Sequence, residues 1–316
     1  MRISHLWWGS CLVLCLLCAP RLVAQDGPRG SCDVPVVVSG WNGLTQTGNE
    51  LLKNLTPADL QVRLGTTTAV VERMLIDGGP KRVALILDPS RNVSDEEWKL
   101  ETQMAARLVE GGRPGDRFLL FIEGIDNEAS SFLSPDEVDR QLRGLVFARP
   151  ASVDSSERAY DALLNAAQRF DPPAFGDALI LFGHPEDVGS KADPDQVLQV
   201  ILKRALRFYG FSFRDPLGGY AKLDQLSHET GYYFSFHSLL SLNQPRQMSL
   251  YEGFLDDVYA GIAEPYRLTI RMPSSEGPTA LTIEVVNAKD RIPRADDVHY
   301  PHSVYSCVAS SLPATP

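Results

Sequence analysis

The chain has 316 residues, 44% of them hydrophobic, so it can bury a sizeable core. Its formal net charge is −10, from 30 basic and 40 acidic side chains. No basic stripe is available to displace phosphate counterions, which argues against a nucleic-acid partner, while the acidic surface is compatible with cation binding.

The first element read from the N-terminus is a leader. Arg2, the apolar stretch Leu6 to Ala19 and the small residue Ala24 follow the order of a secretory signal peptide, expected over residues 1–24. Removing it takes away Arg2 and Arg21, so −10 becomes −12, and leaves no membrane span in the remainder. Three of the five cysteines, Cys11, Cys15 and Cys18, leave with it. In the oxidising compartment implied, periplasmic or extracellular, the remaining pair Cys32 and Cys307 is expected to form a disulfide closing a loop of about 275 residues. No histidine stands at ligand spacing to that pair, which speaks against zinc.

Residues 25–80 read as β-rich. "DVPVVVSGWNG" is a strand ending on an Asn-Gly turn signal, Thr56-Pro57 opens a single helical turn before a short strand, and "TAVVERMLID" is a further strand. From Lys81 the pattern changes to continuous apolar runs alternating with amphipathic helices. The runs cover 82–88, 116–124, 177–184, 205–213 and 231–237. Ser94 and Glu97 form a capping box for the first helix and Gly111 stops it. Five such alternations over 81–263 predict an α/β fold, a doubly wound, mostly parallel sheet with helices on both faces. A last helix, "SLYEGFLDDVYAGIA", precedes the strands "PYRLTIRMP" and "ALTIEVVNA". The segment 264–316 is expected to pair with 25–80 in a small β-rich module.

Chemistry concentrates in "VALILDPSRNVS". Asp88 ends the first run, and Ser90 and Asn92 follow at alternate positions, where the carboxyl ends of parallel strands place ligands. The outline Asp88-x-Ser90-x-Asn92 resembles the Asp-x-Ser-x-Ser motif of the metal-ion-dependent adhesion site in von Willebrand factor type A (VWA) domains. "SERAYDALLNAAQRF", "DALILFGHPED" and "LDQLSHETGYYFSF" resemble later segments of that family. The opening and closing strands resemble a VWFA-related subgroup found in Acidobacteria. The resemblance covers most of the chain after the leader.

That resemblance implies a ligand set of Asp88, Ser90, Asn92, Glu157 and His184. It departs from the family where Glu157, with Ser156 as the nearest hydroxyl, falls at the threonine and His184 falls at the second aspartate. An imidazole in place of a carboxylate weakens a site for Mg²⁺ and leaves Mn²⁺ or Zn²⁺ as the alternatives. The bland reading has Asp88 and Ser90 shaping the turn into the Ser94 helix.

Other signals have ordinary explanations. Ser90, His184 and Asp88 suggest a hydrolase triad, but no G-x-S-x-G elbow is present. His228 in "SHETG" lacks the second histidine of a zincin and reads as a solvated helix residue. The aromatics of "RFYGFSF" and "GYYFSF" read as core, and the acids of "SDEEW" as a helix first turn. The glycosylation sequons at Asn54 and Asn92 carry no weight in a bacterial-looking protein.

The sequence therefore predicts an exported, non-catalytic VWA-like protein. It would mediate protein–protein interaction or adhesion at the carboxyl-end rim of the sheet, with a vestigial metal site and an unidentified protein partner. Rim loops such as "EGIDNEASSFLSPDE" and "FARPASVDSSE" would make the contacts. A divalent-metal-dependent adhesion module and an unrecognised hydrolase are the alternatives.

Overall fold

The computed structural model describes residues 31–40, 55–90, 93–123, 131–147, 158–184, 187, 189–213, 221–231, 233–236, 245–273, 277–286 and 298–305. Strand β1 (Ser31–Gly40) is rich in β-branched side chains that favour extended backbone. Its alternation divides them: Val36 and Val38 enter one core and Val37 another. Thr56 accepts no cap bond from its helix but pairs with Asp59 in a capping box that starts the 3₁₀ turn Pro57–Asp59. Strands β2 (Leu60–Leu64) and β3 (Thr67–Ile76) then form a hairpin.

The α/β unit follows. Strands β4 (Arg82–Leu87), β5 (Arg117–Ile122), β6 (Ala178–Phe182), β7 (Arg207–Ser212) and β8 (Tyr233–Phe236) form an all-parallel sheet in the order β5-β4-β6-β7-β8. Val83 to Leu87 have no exposed surface. Full burial of such apolar side chains is worth about 1.5–3 kcal/mol each, which favours an interior position for β4, between β5 and β6. Helices α1 (Asp95–Glu110), α2 (Pro135–Phe147) and α6 (Pro245–Ala263) contribute to the core on one face. Helices α3 (Ala159–Gln168), α4 (Pro194–Lys203) and α5 (Ala221–Thr230) cover the other. The odd residues of β4 join the first core and Ala84 and Ile86 the second, as the pleat requires.

After α6 come β9 (Tyr266–Pro273), β10 (Pro278–Val285), β11 (Val298–His299) and β12 (Ser303–Tyr305). With β1 to β3 they make an antiparallel sheet ordered β11-β1-β9-β3-β2-β10-β12. Its two edge strands, β11 and β12, are joined by residues 300–302 alone, so the sheet curls round its own core. That core includes Val36, Val62, Leu268, Ile270, Met272 and Ile283. Strands of two and three residues carry too little alternation to be read from sequence, and β11 and β12 were not expected.

Boundaries differ from expectation in small, explicable ways. Asp88 lies one residue beyond the paired part of β4. Helix α6 starts at Pro245, ahead of its "SLYEGF" pattern, because proline supports a first turn that has no use for its missing N–H. Helix α3 begins at Ala159, and Ser156 and Glu157 lie outside the described residues.

The amino end of the parallel sheet is tied down by buried, paired charge. The Asp116 carboxylate accepts from the Lys81 amide at 2.7 Å, the Arg113 amide at 2.9 Å and the Tyr259 hydroxyl. Asp177 holds the Arg82 guanidinium at 3.1 and 2.5 Å. The guanidinium of Arg207, 1% exposed, donates to the carbonyls of Gly261 and Ile262 at 3.0 Å each and to that of Gly176. Cys32, opposite Met272 in the curled sheet, is disulfide-bonded, and its expected partner Cys307 lies outside the described residues.

Candidate functional site

Counted within the parallel sheet, the strand order is 2-1-3-4-5, which reverses between β4 and β6. Ligands of open α/β sheets settle at such a reversal, outside the carboxyl ends of the strands. Asp88 follows β4 there and His184 follows β6, so the structure brings these two predicted residues together. Gly183 permits the approach: a Cβ on it would stand 2.6 Å from the Asp88 Cβ, closer than two side chains tolerate.

The Asp88 carboxylate is engaged in shaping this junction. One oxygen accepts from the Ser90 amide at 2.8 Å, and the other from the Ser90 hydroxyl at 3.3 Å and the His184 amide at 3.4 Å. Asp88, Ser90 and His184 are 2%, 5% and 7% exposed. His184 thus meets Asp88 through its main chain. The Asp88 amide in turn donates to Glu101 at 3.4 Å.

Further carboxylates gather beneath the rim. Glu101 is wholly buried, and desolvation pushes its carboxyl well above the usual range, with the charges of Asp88, Glu123 and Glu97 adding to the rise and the bond from the Asp88 amide opposing it. Glu97 accepts from the Ser94 amide at 2.6 Å in the capping box of α1. Glu123, just past β5, accepts from the Arg158 amide at 3.1 Å at the start of α3. Asp187 completes that helix start: its carboxylate accepts from the Tyr160 amide at 2.9 Å and the Ser190 hydroxyl at 2.6 Å. Ser190 Oγ accepts from the Asp161 amide at 3.0 Å. Burial, with the Asp187 charge adding, pushes the Tyr160 phenol up to about 12.

A hard divalent cation wants about six oxygens converging on one point. Asp88 and Ser90 stand together, Asn92 and Glu157 lie outside the described residues, and His184 presents its amide to Asp88. Among the described residues no group of three or more His, Cys, Asp or Glu side chains is arranged to hold a metal. Of the five expected ligands, the described ones Asp88, Ser90 and His184 are joined to one another by hydrogen bonds. The carboxylates here serve backbone amides, as N-caps and turn acceptors do.

Several residues here went unread in the sequence. Glu101 falls on the buried stripe Trp98, Glu101, Ala105, Leu108, where a charge is out of place, and that was its available signal. Glu123 ends a buried run just as Asp88 does. Asp187 stood out only as the last residue of "DALILFGHPED", and Ser190 gave no signal, because a cap supplied from another loop has no local pattern. The loops expected to make partner contacts fall largely outside the described residues.

Comparison with family models gave no match, and neither did comparison with curated proteins. Among solved structures, the chain is similar to the human COPII-coat protein Sec24c, at 10% identity and a TM-score of 0.43, over 72% of this chain and 43% of that one. This chain therefore spans less than half the length of Sec24c. It is also similar to an aerotolerance-related membrane protein from Bacteroides fragilis, at 12% identity and a TM-score of 0.41, over 57% of this chain and 99% of that one.

Proposed function

We propose that this chain is an exported, non-catalytic interaction module of the VWA type that binds a protein partner at the carboxyl-end rim of its parallel sheet without a metal ion. The observation that carries this reading is the state of the switch-point acid. Asp88 sits where the fold places ligands, yet it is 2% exposed and spends both carboxylate oxygens on Ser90 and the His184 amide. Ser90 directs its hydroxyl to that carboxylate, a turn contact that differs from the serine–histidine pairing of a hydrolase. Recognition then falls to the loops around a rigid base, the usual division of labour in this kind of fold. Among the described residues no helix is long and apolar enough to cross a membrane.

The test is a thermal-unfolding titration of the folded chain with Mg²⁺, Mn²⁺ and Zn²⁺. A ligand present at about 100 times its Kd adds roughly 2.7 kcal/mol to stability, which such a titration detects easily. No shift with any of the three is expected. A rise in Tm that Asp88→Ala abolishes would overturn the metal-free reading in favour of a metal-dependent adhesion module.

A further inference from the structure

We propose that the turn joining β11 to β12 and the end of α5 form a histidine-gated clasp, which holds the curled sheet against the α/β unit at neutral pH and releases it on mild acidification. The contact is built from both sides. The His302 amide donates to the Glu229 carbonyl at 2.9 Å, and the Ser303 hydroxyl donates to the Glu229 carboxylate at 3.0 Å. Gly231, in the left-handed region at φ +78°, lets the turn pass: a Cβ there would lie 1.5 Å from the Tyr300 carbonyl oxygen. In the middle of this contact the rings of His228 and His302 lie with centroids 4.2 Å apart, and Tyr300 packs edge-on against His302 at 5.0 Å.

The histidine pair makes the clasp sensitive to protons. His302 Nδ1 is buried and makes no hydrogen bond, so a proton placed there gains no acceptor. A second charge on His228 would face it across 4.2 Å. The acidic group at the contact is Glu229, on α5 beside His228. It favours the charged imidazole, as does a hydrogen bond to the His228 backbone, but burial and the charge of His228 outweigh both and hold His302 below the ordinary histidine range. Lys203, at the end of α4, lies over the Tyr305 ring at 5.8 Å and adds positive charge beside β12. An imidazole held low in the closed state binds fewer protons there than in the open state. The clasp is therefore at full strength above the ordinary histidine pKa and weakens as pH falls through it.

Opening has a structural consequence. Thr230, Pro301, Ser303, Val304 and Tyr305, around the clasp, wall a cavity of about 420 Å³ whose opposite side is β1 and the end of α4. Releasing the turn would remove one wall of this mainly apolar cleft and widen it between the two units.

Hydrogen–deuterium exchange by mass spectrometry on the full chain tests this, compared at about pH 7.5 and about pH 5.5 after correction for intrinsic exchange. An opening that takes up one proton gains up to about tenfold per pH unit. The expected result is faster opening of residues 298–305 at the lower pH with β4 unchanged, and its suppression in the double variant His228→Gln, His302→Gln. Unchanged protection of 298–305 in the unaltered chain overturns the proposal, as does equal acid loss in the double variant or equal loss in β4. If the double variant does not fold, the single variant His302→Gln takes its place in the comparison, and unchanged protection in the unaltered chain still overturns the proposal.

Discussion

At the scale of single residues, the carboxyl end of the sheet uses acids as structural acceptors. Glu101 is the extreme case, because its carboxyl is raised by burial and by the charges of Asp88, Glu123 and Glu97. A carboxyl raised in the native state keeps a proton that the unfolded chain releases. Stability should therefore fall as pH rises from the unfolded carboxylate range toward the native value, by at most about 1.4 kcal/mol per pH unit for one proton. Glu101→Gln, which keeps the shape and cannot ionise, is expected to remove this slope and to gain stability at pH 8 relative to pH 4.5. Urea unfolding across that pH range measures it; parallel pH profiles for the two proteins would contradict the assignment. Asp88, by contrast, was legible as a residue of note from the sequence, because an acid ending an apolar run is conspicuous. Its grouping with Ser90 and His184 followed from the family resemblance, but the manner of contact did not, since His184, 96 residues away, reaches it through the main-chain amide.

At the scale of elements, the helices were readable where their signals are local. Ser94 and Glu97 form the capping box that the sequence suggests, with the Glu97 amide donating to Ser94 Oγ at 3.1 Å. The start of α3 follows a different rule. No side chain of its own N-cap, Arg158, serves it, and Glu123, Asp187 and Ser190 supply the acceptors from two other loops. Asp187→Ala removes the acceptor of the Tyr160 amide and the partner of Ser190, and should cost about 1–2 kcal/mol, the range of an N-cap loss. The expected readout is a lower urea midpoint with an unchanged slope. A null effect would mean that water replaces the carboxylate without cost. His228 shows the same limit: its sequence neighbours mark it as a solvated helix residue, and it is exposed, yet its ring packs at a tilt against His302 from the C-terminal strands.

At the scale of the whole molecule, two sheets share one chain, and the ends of that chain build the curled one. Strand β1 pairs with β9 over eight positions, from Ser31 opposite Pro273 to Val38 opposite Tyr266. With Cys32 disulfide-bonded, pairing to Cys307 would close the long loop that contains the entire α/β unit. Reduction is then expected to lower stability by up to about 5 kcal/mol, an upper guide from chain entropy. Denaturant midpoints with and without reductant measure this, and intact-mass analysis without reductant reads the pairing. Free thiols at both Cys32 and Cys307 would refute it.

What the sequence determined by itself was the α/β grammar: five apolar runs, the helices between them and the acid that ends the first. Each of these is written in local periodicity, and burial of β4 from Val83 to Leu87 follows from the residues themselves. The tertiary structure alone decided what the acid does. Strand order placed Gly183 against Asp88, and the resulting contacts turned its carboxylate into an acceptor for Ser90 and the His184 amide. The same holds for the curl of the second sheet and the histidine clasp. Both depend on pairings between distant segments, where the free energy comes from shared burial and hydrogen bonds that no single window of sequence contains.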